Sequence, residues 1–190
     1  MARSFSEAEK DNIRKKLIAE CEKSWVIYGY KKTKIDELCS KVGISKGAFY
    51  VFFDSKEHLF CRVFDLIQES HIAIAKSLPP FPVKEDICHM LKQLYLEYDK
   101  TNILTQRTSQ DFISFLNRAP EEWIEKSRKI SEIYADSITN PDLKLKMSKE
   151  KAIGIINALL AIVTTKDVVG YDHFEVFCTL LDSVINEIYE

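Results

Sequence analysis

Lys46, Tyr50 and Lys56 are the side chains whose types and spacing best suit chemistry, and the chemistry is recognition of an anionic polymer. Lys46 stands in the first turn of a short segment opened by Ser45, where an ammonium reaches a phosphate or a guanine edge. Tyr50 ends that segment and can donate its hydroxyl to a phosphate while its ring packs. Gly47 and Ala48 lie between them; Gly47 lets backbone approach backbone and is otherwise a poor residue for an exposed helix. Thr33 and Lys56 are expected to begin two further helices, where free amides and the helix dipole suit phosphates. Lys34, with Lys31 and Lys32, adds non-specific attraction. Nothing comparable points to bond-making chemistry. There is no HExxH, GxSxG or GxxxxGK, no ExxH pair, and five glycines leave little room for catalytic loops. No catalytic residue, metal site or cofactor is expected.

These residues need a scaffold, and residues 33–50 supply one. Two short amphipathic segments flank a glycine, which is how a chain builds a helix-turn-helix with one helix bracing another in the major groove. Thr33 is expected to cap the first helix, with Asp36 three residues on. Ile35, Leu38 and Val42 then share one face. Gly43 stands where a left-handed residue must end the helix. Ile44 can fill the angle, and Ser45 caps the second helix. Phe49, Phe52 and Phe53 are expected to pack in a core rather than stack on bases.

The rest of the chain reads as helix. The 190 residues contain five glycines and five prolines, and no long alternating strand pattern lies between them. A first helix starts near Ser6, paired with Glu9 in a capping box, and stops at Gly29. Asp54 and Glu57 look like the cap of a fourth, which reaches about Leu78 before Pro79-Pro80-Phe81-Pro82. Further helices are expected over about 83–98, 102–117, 120–138, 148–166 and 172–189, with turns at Asn140-Pro141 and Gly170. The expected fold is all-α with about nine helices. The longest apolar run, Ala158–Val163, is too short to span a bilayer, and the N-terminus lacks a signal-peptide core. A cytoplasmic protein with no membrane partner is expected. Five cysteines without a CxxC pair suit reduced thiols in packing roles.

Charge is uneven beneath a net −2. Residues 1–60 hold 12 Lys and Arg against 9 Asp and Glu, while residues 61–190 hold 15 against 20. A mildly basic head on an acidic body fits one DNA-facing end.

Residues from about Leu17 to Phe60 resemble the TetR family of bacterial transcription regulators. The resemblance is carried by Gly29-Tyr30 followed by Thr33, then Val42-Gly43-Ile44-Ser45-Lys46-Gly47, Phe49-Tyr50, Phe52-Phe53 and Ser55-Lys56-Glu57-His58-Leu59-Phe60. It implies a three-helix DNA-binding head over residues 1–54 and an effector-binding and dimerisation domain over 55–190. It also implies a homodimer that binds a near-palindromic double-stranded DNA operator and answers to a small-molecule effector, most simply as a repressor released by it. Ala48 and Val51 depart from the threonine and histidine common at these positions. Apolar contact with thymine methyls would then replace polar readout.

Aromatic candidates for the effector site are Phe64, Tyr95, Tyr98, Phe112, Phe115, Trp123 and Tyr134, with His71 as a polar contact. The acidic body favours a cationic or neutral effector. Gly154, Ala158 and Ala161, flanked by Ile155 and Ile162, would let a second copy approach closely. Phe174, Phe177, Leu181, Val184 and Ile188 add a stripe on the last helix, completing a four-helix interface. The competing reading is a helical ligand- or partner-binding protein whose helix-turn-helix no longer binds DNA.

Overall fold

A computed structural model describes residues 5–101, 109–139, 143–169 and 171–190, apart from the side chains of 131, 134 and 138. Among them the fold is all-α. The helices are α1 (Glu7–Lys32), α2 (Ile35–Val42), α3 (Lys46–Phe49), α4 (Lys56–Ala75) and α5 (Lys84–Lys100). They continue as α6 (Gln110–Leu116), α7 (Glu121–Ile138), α8 (Lys149–Leu160), α9 (Lys166–Val169) and α10 (His173–Ile188), with a 3-10 segment, Ala161–Thr165, between α8 and α9. The expected helix start in 102–108, the turn at Asn140-Pro141 and the break at Gly170 lie outside the described residues.

Local signals set most of the helix ends. Ser6 accepts from the Glu9 amide while the Glu9 carboxylate accepts from the Ser6 amide at 2.9 Å, the expected capping box. Ser109, Ser148 and Asp172 cap α6, α8 and α10 through their side chains. Gly29 interrupts α1 with φ 79° and ψ 174°, so the regular helix stops where expected and one further turn follows. Two caps differ. Thr33 turns its hydroxyl back onto the Gly29 carbonyl at 2.8 Å, closing α1, and α2 starts after Lys34 without a side-chain cap. At α4 the cap is Ser55, whose Oγ accepts from the His58 amide at 3.2 Å, while Asp54 pairs with the His58 ring. In both cases a hydroxyl found a nearer backbone partner than the spacing rule assumed.

The chain forms two compact units, Met1–Ile67 with Gln106–Glu125, and Gln68–Thr105 with Lys126–Glu190. In the first, Leu17, Cys21 and Trp25 of α1 fall at helical spacing and are wholly buried. Around Trp25 and Tyr30 gather Phe60, Phe64, Phe112, Phe115 and Trp123, with ring centroids 4.5–6.1 Å apart. The Trp123 indole donates to Asp65 at 2.8 Å.

The second unit packs α5, α8 and α10 around Ile87, Leu91, Tyr95, Ile156, Phe177, Leu181 and Ile185. Each such side chain contributes about 1.5–3 kcal/mol of burial, offset by the entropy of ordering it. A short antiparallel bridge between Leu145 and Tyr189 holds the end of the chain to residues 144–146. All five cysteines are unpaired, and Cys21, Cys39 and Cys61 are buried.

Residues Lys149–Val169 correct the expectation about membrane-spanning length. Taken across the 3-10 segment they form 21 helical residues with mean hydropathy 1.7 in the most apolar window, enough by length and composition to cross a bilayer. Only 28% of that window is buried. Ala152, Ile156, Leu159, Leu160 and Val163 lie in the core of the second unit while Gly154, Ala158 and Ala161 are exposed, so one face of this helix is packed and another is uncovered.

Candidate nucleic-acid interface

The turn between α2 and α3 is built from backbone bonds that the local sequence permits. Gly43 takes the left-handed conformation (φ 78°, ψ 33°), and its N–H donates to the Cys39 carbonyl at 2.9 Å. Ile44 N–H donates to the same carbonyl at 3.0 Å. Ser45 returns to extended backbone, and its Oγ accepts from the Ala48 amide at 3.1 Å. The two helices are thereby locked at a fixed angle, with Leu38 and Cys39 of α2 and Phe49 of α3 buried beneath them.

What remains outside is a small, mostly uncharged face. Lys46, Gly47, Tyr50 and Val51 are exposed, Ala48 is half-buried, and Tyr50 keeps 51% of its surface. α3 itself is one turn long and continues as a tight turn in which Phe53 N–H donates to Phe49 O at 3.1 Å. Lys46 ion-pairs with Asp36 at 3.1 Å, and this hydrogen bond raises its pKa. Both partners are solvent-facing, so the pair is weak and easily exchanged for a phosphate. Lys34, also exposed, pairs with Glu37 at 3.1 Å. Phe49 and Phe52 are buried and Phe53 half-buried, as a packing role requires.

Thr33 and Lys56 lie differently from the other candidates. Thr33 is buried with its hydroxyl on Gly29. Lys56 donates its amine to the Tyr30 carbonyl and rests 4.3 Å over the Tyr30 ring, and burial pushes its pKa below the usual lysine range. Tyr30 in turn donates its hydroxyl to Glu57, and burial followed by that carboxylate pushes the phenol up to about 12. Asp111 accepts from the Tyr30 and Lys31 amides, the latter at 2.9 Å. Asp111 was not legible in the sequence: its partners lie 81 and 80 positions away and no motif marks it.

The effector candidates fall in both units. Phe64, Phe112, Phe115 and Trp123 are packed into the aromatic core of the first unit. Tyr95 and His71 belong to the second unit. Tyr95 stacks on Phe177 at 4.0 Å and bonds the His173 ring at 2.9 Å; His71 meets Tyr98 edge-on at 4.7 Å. The Tyr134 side chain lies outside the described residues. An open groove of about 540 Å³ in the second unit is lined by Ser70, Ala73, Ile74, Ser77, Gln93, Leu96, Glu97 and Lys100, none of them anticipated.

The dimer candidates also divide. Gly154, Ala158 and Ala161 are exposed, and Ile155, Ile162, Phe174 and Val184 are half-buried. Phe177, Leu181 and Ile188 are wholly buried within the single chain, which fills the role assigned to a second copy. Leu180, 43% exposed, stands on the outer side of α10 instead.

Residues 18–63 match the family of bacterial regulatory proteins described as the tetR family. Over 116 residues the chain is 34% identical to the uncharacterized HTH-type transcriptional regulator YhgD of Bacillus subtilis (strain 168), and the match spans 60% of each protein. The fold is similar to that of the transcriptional regulator FadR from Bacillus subtilis, solved with stearoyl-CoA. That likeness has a TM-score of 0.69 at 16% identity and covers 92% of this chain and 98% of that one. It is also similar to the superantigen PfiT, with a TM-score of 0.72 at 14% identity over 95% and 97% of the two chains. The capped helix-turn-helix thus lies within a segment, residues 18–63, that matches the tetR family of bacterial regulatory proteins.

Proposed function

We propose that this chain is a ligand-responsive, DNA-binding transcriptional regulator, acting in the cytoplasm as a repressor released by a small-molecule effector. The observation that carries this reading is the locked α2–Gly43–α3 turn with Lys46, Gly47, Tyr50 and Val51 exposed beyond it. Residues 1–54, with Lys56 just beyond them, supply the DNA contacts, and 55–190 carry the effector and dimer surfaces. Lys34, Lys46 and Tyr50 meet phosphates or base edges, and Ser45, Gly47 and Ala48 shape the approach. Thr33 and Lys56 hold the ends of α1 and α4 in place, and the Lys56 amine exchanges Tyr30 for a phosphate on DNA.

The dimer uses the exposed face of Gly154, Ala158 and Ala161 with Leu180. Two heads related by a two-fold axis read a near-palindrome with half-sites a whole number of DNA turns apart. The effector contacts the α4 side chains of the second unit, where His71 and Gln68 are buried beside Tyr98 and Ser127. An effector that favours a state with displaced heads weakens DNA binding by the same coupling free energy.

Selection of bound sequences from a random duplex library tests this reading. Enrichment of a palindrome is expected; enrichment of nothing at low and moderate salt would overturn it. The second reading, a helical protein whose helix-turn-helix no longer binds DNA, is favoured by one observation. Ala48 and Val51 leave the outer side of α3 without the hydrogen-bonding side chains that base readout commonly uses.

A further inference from the structure

We propose that the groove where Lys31, Lys56 and Arg118 meet, at the end of α1, the start of α4 and the end of α6, is a phosphate-binding site. The groove measures about 530 Å³ and is lined by Tyr30, Lys31, Lys56, Ser114, Asn117 and Arg118, all within the first unit. It holds three cations and no carboxylate among its lining residues.

The nearby acids are already engaged. Glu57 accepts the Tyr30 hydroxyl, and Asp111 accepts the Tyr30 and Lys31 amides. Among the described residues, neither carboxylate lies within ion-pair distance of Lys31, Lys56 or Arg118. Arg118 also interacts with the Tyr30 hydroxyl, and its charge acts on Lys56 against protonation, as burial does. Glu57 and Asp111 act on Lys56 in the opposite sense. Two cations are thus held within reach of each other, one half-buried, and a shared oxyanion would relieve both the repulsion and the desolvation.

The donor set indicates which oxyanion. The planar fork of Arg118 and the amide of Asn117 offer directed N–H groups, and the two lysines add point charges. Ser114 spends its hydroxyl proton on the Gln110 carbonyl at 2.7 Å and offers only lone pairs. Three positive charges suit a tetrahedral dianion better than a monocarboxylate. The groove is larger than a bare phosphate needs, so an organic group or a polymer can carry it. The phosphate comes either from a small phosphorylated molecule or from the DNA backbone.

The test uses the full chain, its Arg118→Gln and Lys31→Gln variants, and Arg118→Lys. Thermal unfolding is followed with inorganic phosphate and pyrophosphate against chloride at equal ionic strength. DNA affinity is measured against salt for the same proteins. A saturable rise in the wild-type midpoint, with about tenfold weaker apparent binding in Arg118→Gln and partial recovery in Arg118→Lys, assigns a free phosphorylated ligand. No rise with free anion, but a salt slope reduced by about one in Arg118→Gln, assigns a backbone phosphate. A rise equal in all variants, or no change in either arm, overturns the site. Both altered side chains are exposed, and unchanged midpoints without anion check that the variants fold. The free-anion arm does not require DNA binding, so failure of the regulator reading and failure of this site are separable.

Discussion

A Cβ placed on Gly29 would lie 2.6 Å from the Asp111 carboxylate, because that carboxylate reaches across to cap the turn that Gly29 begins. Gly29 is required twice, once for its φ of 79° and once for the space that Asp111 occupies. Gly29→Ala should cost about 1–3 kcal/mol from the backbone alone, because φ 79° with ψ 174° is a region essentially reserved for glycine, with more from the displaced carboxylate. Asp111→Ala should cost about 1.5–3 kcal/mol, because two amides lose a charged acceptor. Asp111→Asn, which keeps one carbonyl oxygen, should fall between. Urea unfolding checks all three, and a wild-type midpoint for Asp111→Ala would show that the cap contributes nothing.

Gly43 and Gly47 separate folding from recognition. Gly43 has open space around a would-be Cβ but a φ of 78°, so Gly43→Ala should destabilise by about 1–2 kcal/mol through backbone strain. Gly47 sits on helical backbone with only the Ser45 Oγ near, at 3.9 Å. Gly47→Ala should therefore stabilise by up to about 1 kcal/mol. It should also weaken operator binding by adding a methyl to the DNA-facing side. Thermal melts paired with binding at fixed salt read both effects.

Asp36 and a DNA phosphate would compete for the same Lys46 ammonium. Lys46→Ala should weaken operator binding and reduce the salt slope by about one phosphate contact. Asp36→Ala should strengthen binding by freeing the lysine. Neither should move the melting midpoint detectably, since both side chains face solvent. If Asp36→Ala leaves DNA affinity unchanged, the ion pair has no part in recognition.

The Tyr30–Glu57 hydrogen bond should be visible at both ends of the pH scale. Burial pushes Glu57 up, but the Tyr30 hydroxyl, its own backbone, Ser55 and Lys56 together hold it below the usual carboxylate range. Its contribution is present above the unfolded value near ~4.3 and is lost as pH falls through the lower folded value. Tyr30 is displaced the other way, to about 12. Its contribution is complete below ~10 and is lost as pH rises from there towards 12. Tyr30→Phe should flatten both limbs of a stability–pH curve. The alkaline limb will keep a slope, because burial also pushes the Tyr95 phenol and the Cys61 thiol up to about 12.

Surface and core variants divide the proposed dimer face. Ala158→Arg, on the exposed side of α8, should convert the dimer to the 22.0 kDa monomer without loss of helix content. Phe177→Ala should instead destabilise the chain by about 3–5 kcal/mol, since that ring is wholly buried against Tyr95. Light scattering and circular dichroism distinguish the two, and a wild-type chain that scatters as a monomer at micromolar concentration would sink the interface.

The features legible in the sequence depend on groups within a few positions of one another. The Ser6–Glu9 box, the stop at Gly29, the left-handed Gly43 and the Ser45 cap are closed by hydrogen bonds spanning three or four residues. Neighbours along the chain suffice to specify these, and with the apolar periodicity they determined an all-helical chain carrying a helix-turn-helix. Tertiary structure decided what each helix face meets. Periodicity shows that Phe177, Leu181 and Ile188 share a stripe, but α5 and α8 of the same chain cover it, leaving Leu180 and Ala158 outside. Aromatic residues grouped as one effector site were divided between two cores, because burial rewards ring packing wherever the chain brings rings together. Asp111 caps a turn 81 residues away, and Arg118 reaches the same groove as Lys31 and Lys56. Partnerships of that span arise only when the chain closes on itself, so no local spacing encodes them.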